Sequence, residues 1–163
     1  MTTLTKQAEP AVEKLLRADE VQLYEQLGIR AKAIEEDPTI ASSFEPQVTY
    51  DQARMGFKED VLEFGQRLFR RWNVESHKLM CGSAPDDQNS RAELLNAFGV
   101  SEIAVAAALT SLLVTNLGLA PALAAVLAVL LVKRFFRPAY EEFCRVWEQK
   151  LPQQQGDQAI PKS

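Results

Sequence analysis

Residues 101–137 read SEIAVAAALTSLLVTNLGLAPALAAVLAVLLVKRFFR, and no charged side chain interrupts the run from Ile103 to Val132. A helix that is apolar on every side has to be buried, in protein or in lipid. Ser101 is a good N-cap, with Glu102 in the first turn, where a carboxylate is favoured by the helix dipole. In the middle, Gly118 supplies a helix stop and Pro121 suits the first position of a new helix. The stretch reads as two antiparallel helices, about 101–117 and 121–136, with a basic step at Lys133-Arg134. Small residues fall four apart in two rows, Ala107, Ser111, Thr115 and Ala120, Ala124, Ala128. Such ridges let two backbones approach closely.

Length bears on where the hairpin resides. One unbroken helix would be about 45 Å long against a hydrocarbon core of about 30 Å, and as a hairpin its halves span about 25 and 20 Å, short for two crossings. Asn116, Ser111, Thr110 and Thr115 oppose insertion, while each Leu or Val favours it by only about 0.3–0.6 kcal/mol. Lys133, Arg134 and Arg137 would nevertheless suit the cytoplasmic side of a membrane. The expectation is a soluble core wrapped by amphipathic helices; insertion of 103–132 into a bilayer is the alternative.

Such helices lie on both sides of the hairpin. Val12, Leu15, Leu16, Leu23, Leu27 and Ile34 recur at helical steps between Pro10 and Glu36, with Asp19 as a restart point and Asp37-Pro38 as the end. Residues 39–49 read as a loop. A second long helix starts near Tyr50-Asp51, carries the stripe Met55, Val61, Leu62, Gly65, Leu68, Phe69, Trp72, and runs to Leu79-Met80 before Gly82. After a polar turn over 83–89, Ser90 caps a short helix with Leu94, Leu95 and Phe98, closed by Gly99. Pro138 opens a last helix with Tyr140, Phe143, Cys144 and Trp147 on one face, and Pro152 ends it. The fold class expected is therefore all-α: a compact bundle of five to six helices around a central apolar hairpin. It forms one domain over 1–152, followed by a disordered polar tail over 153–163.

The 163 residues suffice for one ordinary core. Hydrophobic residues at 47% and charged residues at 25% are globular values, and these totals indicate neither a disordered chain nor a multi-spanning membrane protein. A net charge of −4 argues against a dedicated nucleic-acid binder, which needs a strongly basic face. The first ten residues lack an apolar core of signal-peptide type, so a cytoplasmic location is expected, with membrane association as the variant. The two cysteines, Cys81 and Cys144, lie far apart without a CxxC pattern and are expected to be buried thiols.

Sequence anchors for chemistry are missing. The single histidine, His77, has Cys81 four positions on but no further ligand-type residue to complete a metal-binding pattern, and it reads as a surface or hydrogen-bonded helical side chain. No GxSxG, HExxH, Walker A or GxGxxG motif occurs. Carboxylates cluster at Glu35-Glu36-Asp37, Glu59-Asp60-Glu63, Asp86-Asp87 and Glu141-Glu142, mostly at helix ends or in a turn, where capping or solvation is their default. No catalytic residue, metal ligand or cofactor follows, and the expectation is a protein that is not an enzyme; an enzyme with an unrecognised pocket is the last alternative.

Two groups interleave basic and aromatic residues: Phe64, Arg67, Phe69, Arg70, Arg71, Trp72, Lys78, and Lys133, Arg134, Phe135, Phe136, Arg137. Leu68, Phe69 and Trp72 are expected to face the core, with the arginines toward solvent. Arginine and aromatic residues are enriched at protein interfaces. Arg67, Arg70, Arg71, Lys133, Arg134 and Arg137 are thus the candidate partner- or lipid-binding residues. The function expected is a non-catalytic helical interaction or adaptor module whose partner is another protein, with an anionic membrane as the second partner class.

Overall fold

A computed structural model of the chain describes residues 3–46, 61–81, 88–137 and 139–151. The described residues form seven α-helices and no strand: α1 (Thr3–Leu15), α2 (Glu20–Glu36), α3 (Val61–Cys81), α4 (Gln88–Phe98), α5 (Glu102–Leu117), α6 (Pro121–Phe135) and α7 (Tyr140–Gln149). The all-α bundle is as expected, with more helices than the five to six anticipated.

The added helix comes from the first long segment, which is two helices and not one. The chain turns at Leu16–Ala18, and Asp19 then caps α2: its Oδ1 accepts from Gln22 N at 2.8 Å, while Gln22 Oε1 accepts from Asp19 N at 3.0 Å. That reciprocal box satisfies two of the donors a helix start leaves open. The first helix also begins at Thr3, ahead of Pro10, whose ring lies on the exposed side of α1. Asp37-Pro38 ends α2 as expected, but the presumed loop begins with a 3-10 turn over Pro38–Ser42. The start of the second long helix near Tyr50 and the tail over 153–163 lie outside the described residues. Helix α4 begins at Gln88, ahead of the expected Ser90 cap, and α7 begins at Tyr140, two residues after Pro138.

The hairpin is the centre of the molecule. Ser101 Oγ accepts from Ala104 N at 3.0 Å, Gly118 takes the left-handed conformation at φ 69°, and Pro121 occupies the first turn of α6. From Ala104 to Leu113 every residue of α5 is buried, as is every residue of α6 from Ala124 to Val132. Helices α1, α2 and α4 lie against this hairpin, and α7 closes the end near Phe135. The uncharged run is therefore covered by the amphipathic helices. Among the described residues no helix is long and apolar enough to cross a membrane. Val126, Leu127 and Leu130 are fully buried as expected; Leu123, Leu68 and Trp72 are only half-buried against the core, since each lies at the edge of its helix's apolar face.

Two side-chain-free positions bring α2 and α3 together. A Cβ built on Gly65 would stand 1.8 Å from the Tyr24 carbonyl oxygen, and one on Gly28 would stand 2.4 Å from that of Val61. Only glycine permits this backbone approach. Above the crossing, Arg30 is buried: one guanidinium nitrogen donates to Phe44 O at 3.0 Å and to Ala122 O at 2.9 Å, and Nε donates to Gln26 Oε1 at 3.1 Å. Burial lowers its pKa to about 10, against an opposing pull from Glu45. It stays protonated near neutrality and ties the segment after α2 to the first turn of α6.

The cysteine expectation is corrected. Cys81, the last residue of α3, and Cys144, in α7, form a disulfide with a Cα–Cα separation of 5.7 Å, and both are half-buried. A spacing of 63 residues carries no signal of pairing; the fold makes it by setting α7 beside the end of α3.

Candidate interaction surface

Helix α3 turns Val61, Gly65, Phe69, Asn73, Ser76 and Met80 inward, at three- and four-residue steps. The opposite face follows by geometry. Arg67, Arg70, Arg71 and Lys78, at steps of three, four and seven, are all exposed along one side of the helix. Arg67 stacks on Phe64, with its guanidinium carbon 5.3 Å from the ring centroid. Neither Arg70 nor Arg71 has an ion-pair partner among the described residues.

Each edge of this stripe meets another element. On one edge, Arg71, the half-buried Trp72 and Glu75 line a surface groove of about 390 Å³ with Leu117 and Leu119, which flank the hairpin turn. The groove sets the apolar Trp72, Leu117 and Leu119 beside one charge of each sign, Arg71 and Glu75. On the other edge lies Tyr24, which makes an edge-on ring contact with Phe69 at 5.5 Å. Burial raises the pKa of the Tyr24 phenol, with Arg134 and then Arg70 among the groups acting the other way. Arg70 and Arg134, from the two separate basic groups of the sequence, thus act on one phenol.

The second basic group is largely engaged within the molecule. Arg134 donates to Tyr24 Oη at 2.9 Å and to Glu20 Oε1 at 3.3 Å, and lies over the Phe69 and Phe135 rings at 5.5 and 5.6 Å. It rivets the end of α6 to α2 and α3. Lys133 Nζ donates to Leu16 O at 3.0 Å, satisfying a carbonyl at the end of α1. Arg137 donates to the neighbouring Phe136 O at 2.7 Å. Of the six residues singled out by sequence, Arg67, Arg70 and Arg71 form a continuous outward stripe, Arg134 reaches its edge as a structural tie, and Lys133 and Arg137 make backbone contacts of their own.

A second polar region, between α3 and α7, has no counterpart in the sequence reading. Trp147 Nε1 donates to Asn73 Oδ1 at 2.7 Å, and both side chains are buried. His77 packs edge-on to Trp147 at 5.0 Å and hydrogen-bonds the Cys144 backbone. Desolvation lowers its pKa, against that hydrogen bond and the charge of Glu148. The Tyr140 hydroxyl donates to Met80 O. The signal available was the Asn73, Ser76, His77 spacing, which places polar groups on the buried face of α3. Among the described residues no cluster of His, Cys, Asp and Glu is arranged to hold a metal ion.

No family model, curated protein or solved structure matches this chain.

Proposed function

We propose that the protein is a non-catalytic helical interaction module that receives an acidic surface of another protein on the outward face of α3. The observation that carries this is the exposed stripe of Arg67, Arg70 and Arg71 in a chain of net charge −4, with Arg70 and Arg71 outside any ion pair among the described residues. Basic residues concentrated on one face of an acidic molecule steer an oppositely charged partner and set its register. The half-buried Trp72 beside Arg71 supplies an aromatic anchor along one edge of the stripe.

Bilayer insertion of 103–132 has less support. The two helices have 16 and 15 residues, about 24 and 23 Å by helix rise against a hydrocarbon core of about 30 Å, and their apolar faces are already covered.

Photo-crosslinking side chains at Glu63 and Lys78, which flank the stripe, should capture one common protein in the native cell, while the same group at Glu36 should not. Arg70→Glu together with Arg71→Glu should abolish the capture and leave the melting curve unchanged. Capture that persists after charge reversal would overturn the proposal. So would a variant whose only loss is flotation with phosphatidylserine vesicles, which would assign the stripe to a membrane surface.

A further inference from the structure

The seam between α3 and α7 differs from the rest of the core. Elsewhere the interior is mostly Ala, Val and Leu, and buried polar side chains such as Arg30 and Thr110 are hydrogen-bonded, whereas here Asn73 and Ser76 are buried beside Trp147 and His77. Two atoms in this seam, Ser76 Oγ and His77 Nε2, are shielded from solvent and have no hydrogen-bond partner among the described residues. A buried polar atom without a partner favours any state in which water can reach it. The residues joining α6 to α7, Phe136, Arg137 and Ala139, are outside helices. Helix α7 is therefore a short element of 10 residues, attached through a non-helical link and seated partly on unsatisfied polar groups. The covalent tie across this seam is Cys81–Cys144, and both residues are half-buried and thus within reach of a reagent.

We infer that Cys81–Cys144 is a reversible dithiol/disulfide site that latches α7 over the aromatic end of the hairpin. The reductant is a dithiol. Its thiolate attacks one sulfur to give a mixed disulfide and expels the other cysteine as a thiolate. Its second thiol then attacks the mixed disulfide, so the dithiol leaves as a disulfide while Cys81 and Cys144 each gain one electron and one proton. With the tie broken, hydration of Ser76 and His77 favours release of α7. Release uncovers Phe135 and Phe98, which Trp147 and Phe143 cover in the latched state at ring separations of 5.5 and 5.4 Å. His77 hydrogen-bonds the Cys144 backbone from one turn before Cys81, so the seam and the crosslink open together.

Hydrogen exchange of the full-length protein, oxidised and then reduced with dithiothreitol without denaturant, tests this. Reduction should lower amide protection across 140–149 by at least about tenfold more than across 102–135, because local opening of α7 adds to the loss of global stability that the whole core shares. Oxidised glutathione should restore it. The variant C81S/C144S should show the open pattern without reductant. In S76A/H77L, which lacks the two partnerless atoms and keeps the paired Asn73 and Trp147, reduction should leave α7 protected. The proposal is overturned by a disulfide that resists dithiothreitol in the native state, by unchanged protection of α7, by protection that falls as far across 102–135 as across 140–149, or by opening of S76A/H77L equal to that of the parent.

Discussion

Single residues decide how closely the helices of this bundle can approach. At Gly65 the added methyl of Gly65→Ala would meet the backbone of Tyr24, which cannot move aside as a side chain could. The expected loss is about 2–4 kcal/mol despite alanine's better helix propensity, because α2 and α3 must separate. Gly99→Ala, where the nearest heavy atom to the new Cβ would be 3.5 Å away, should stay within about 0.5 kcal/mol. Paired urea melts measure both, and equal midpoints would dismiss the crossing. His77 makes a second prediction at this scale. Desolvation holds its pKa below 6.5 in the folded protein, so the unfolded chain takes up the proton first as pH falls. The stability present above about pH 6.5 should decline below it until the folded form also protonates, and His77→Leu should flatten that part of the urea-midpoint profile. A profile that His77→Leu leaves unchanged would show that another group titrates there.

At the scale of elements, the hairpin was legible because its signals are local. Ser101 caps α5, Gly118 terminates it, Pro121 starts α6, and each acts within a few residues of its own position. The boundary between α1 and α2 was legible only as a restart at Asp19, because the apolar rhythm runs on from Leu15 and Leu16 to Leu23 across a turn too short to disturb it. The glycine crossing could not be read, since Gly28 and Gly65 announce only missing side chains and not which backbone fills the space. The same limit hid the internal role of Arg134, whose partners Glu20, Tyr24 and Phe69 lie on two other helices. Leu127 is fully buried in α6, so Leu127→Ala should cost about 2–5 kcal/mol in denaturant titrations. Ala124→Asp should be still more damaging, because an unpaired carboxylate would enter an interior that offers it no partner. A loss for Leu127→Ala below about half the lower figure would mean that the hairpin is not the packed core of the molecule.

For the whole molecule the covalent topology matters most. Cys81–Cys144 encloses α4 and the entire hairpin in one loop, with a sequence separation of 63. Closing a loop of that size reduces the freedom of the unfolded chain by about 4 kcal/mol at 25 °C in the chain-entropy account. No local sequence rule could have shown this, because it depends on where two distant helix ends meet. A cytoplasmic location, expected from the sequence, would keep such a pair largely as thiols, whereas an oxidising compartment would keep it closed. The two conditions give molecules of different stability from one chain. In urea, C81S/C144S should unfold with a free energy lower by up to about 4 kcal/mol than the oxidised protein. Its m-value should be larger, since an unfolded chain without the crosslink exposes more surface. Equal midpoints with equal m-values would mean that the crosslink constrains neither the unfolded chain nor α7. A lower midpoint accompanied by unchanged hydrogen exchange of 140–149 would keep the entropic role of the disulfide and reject the latch.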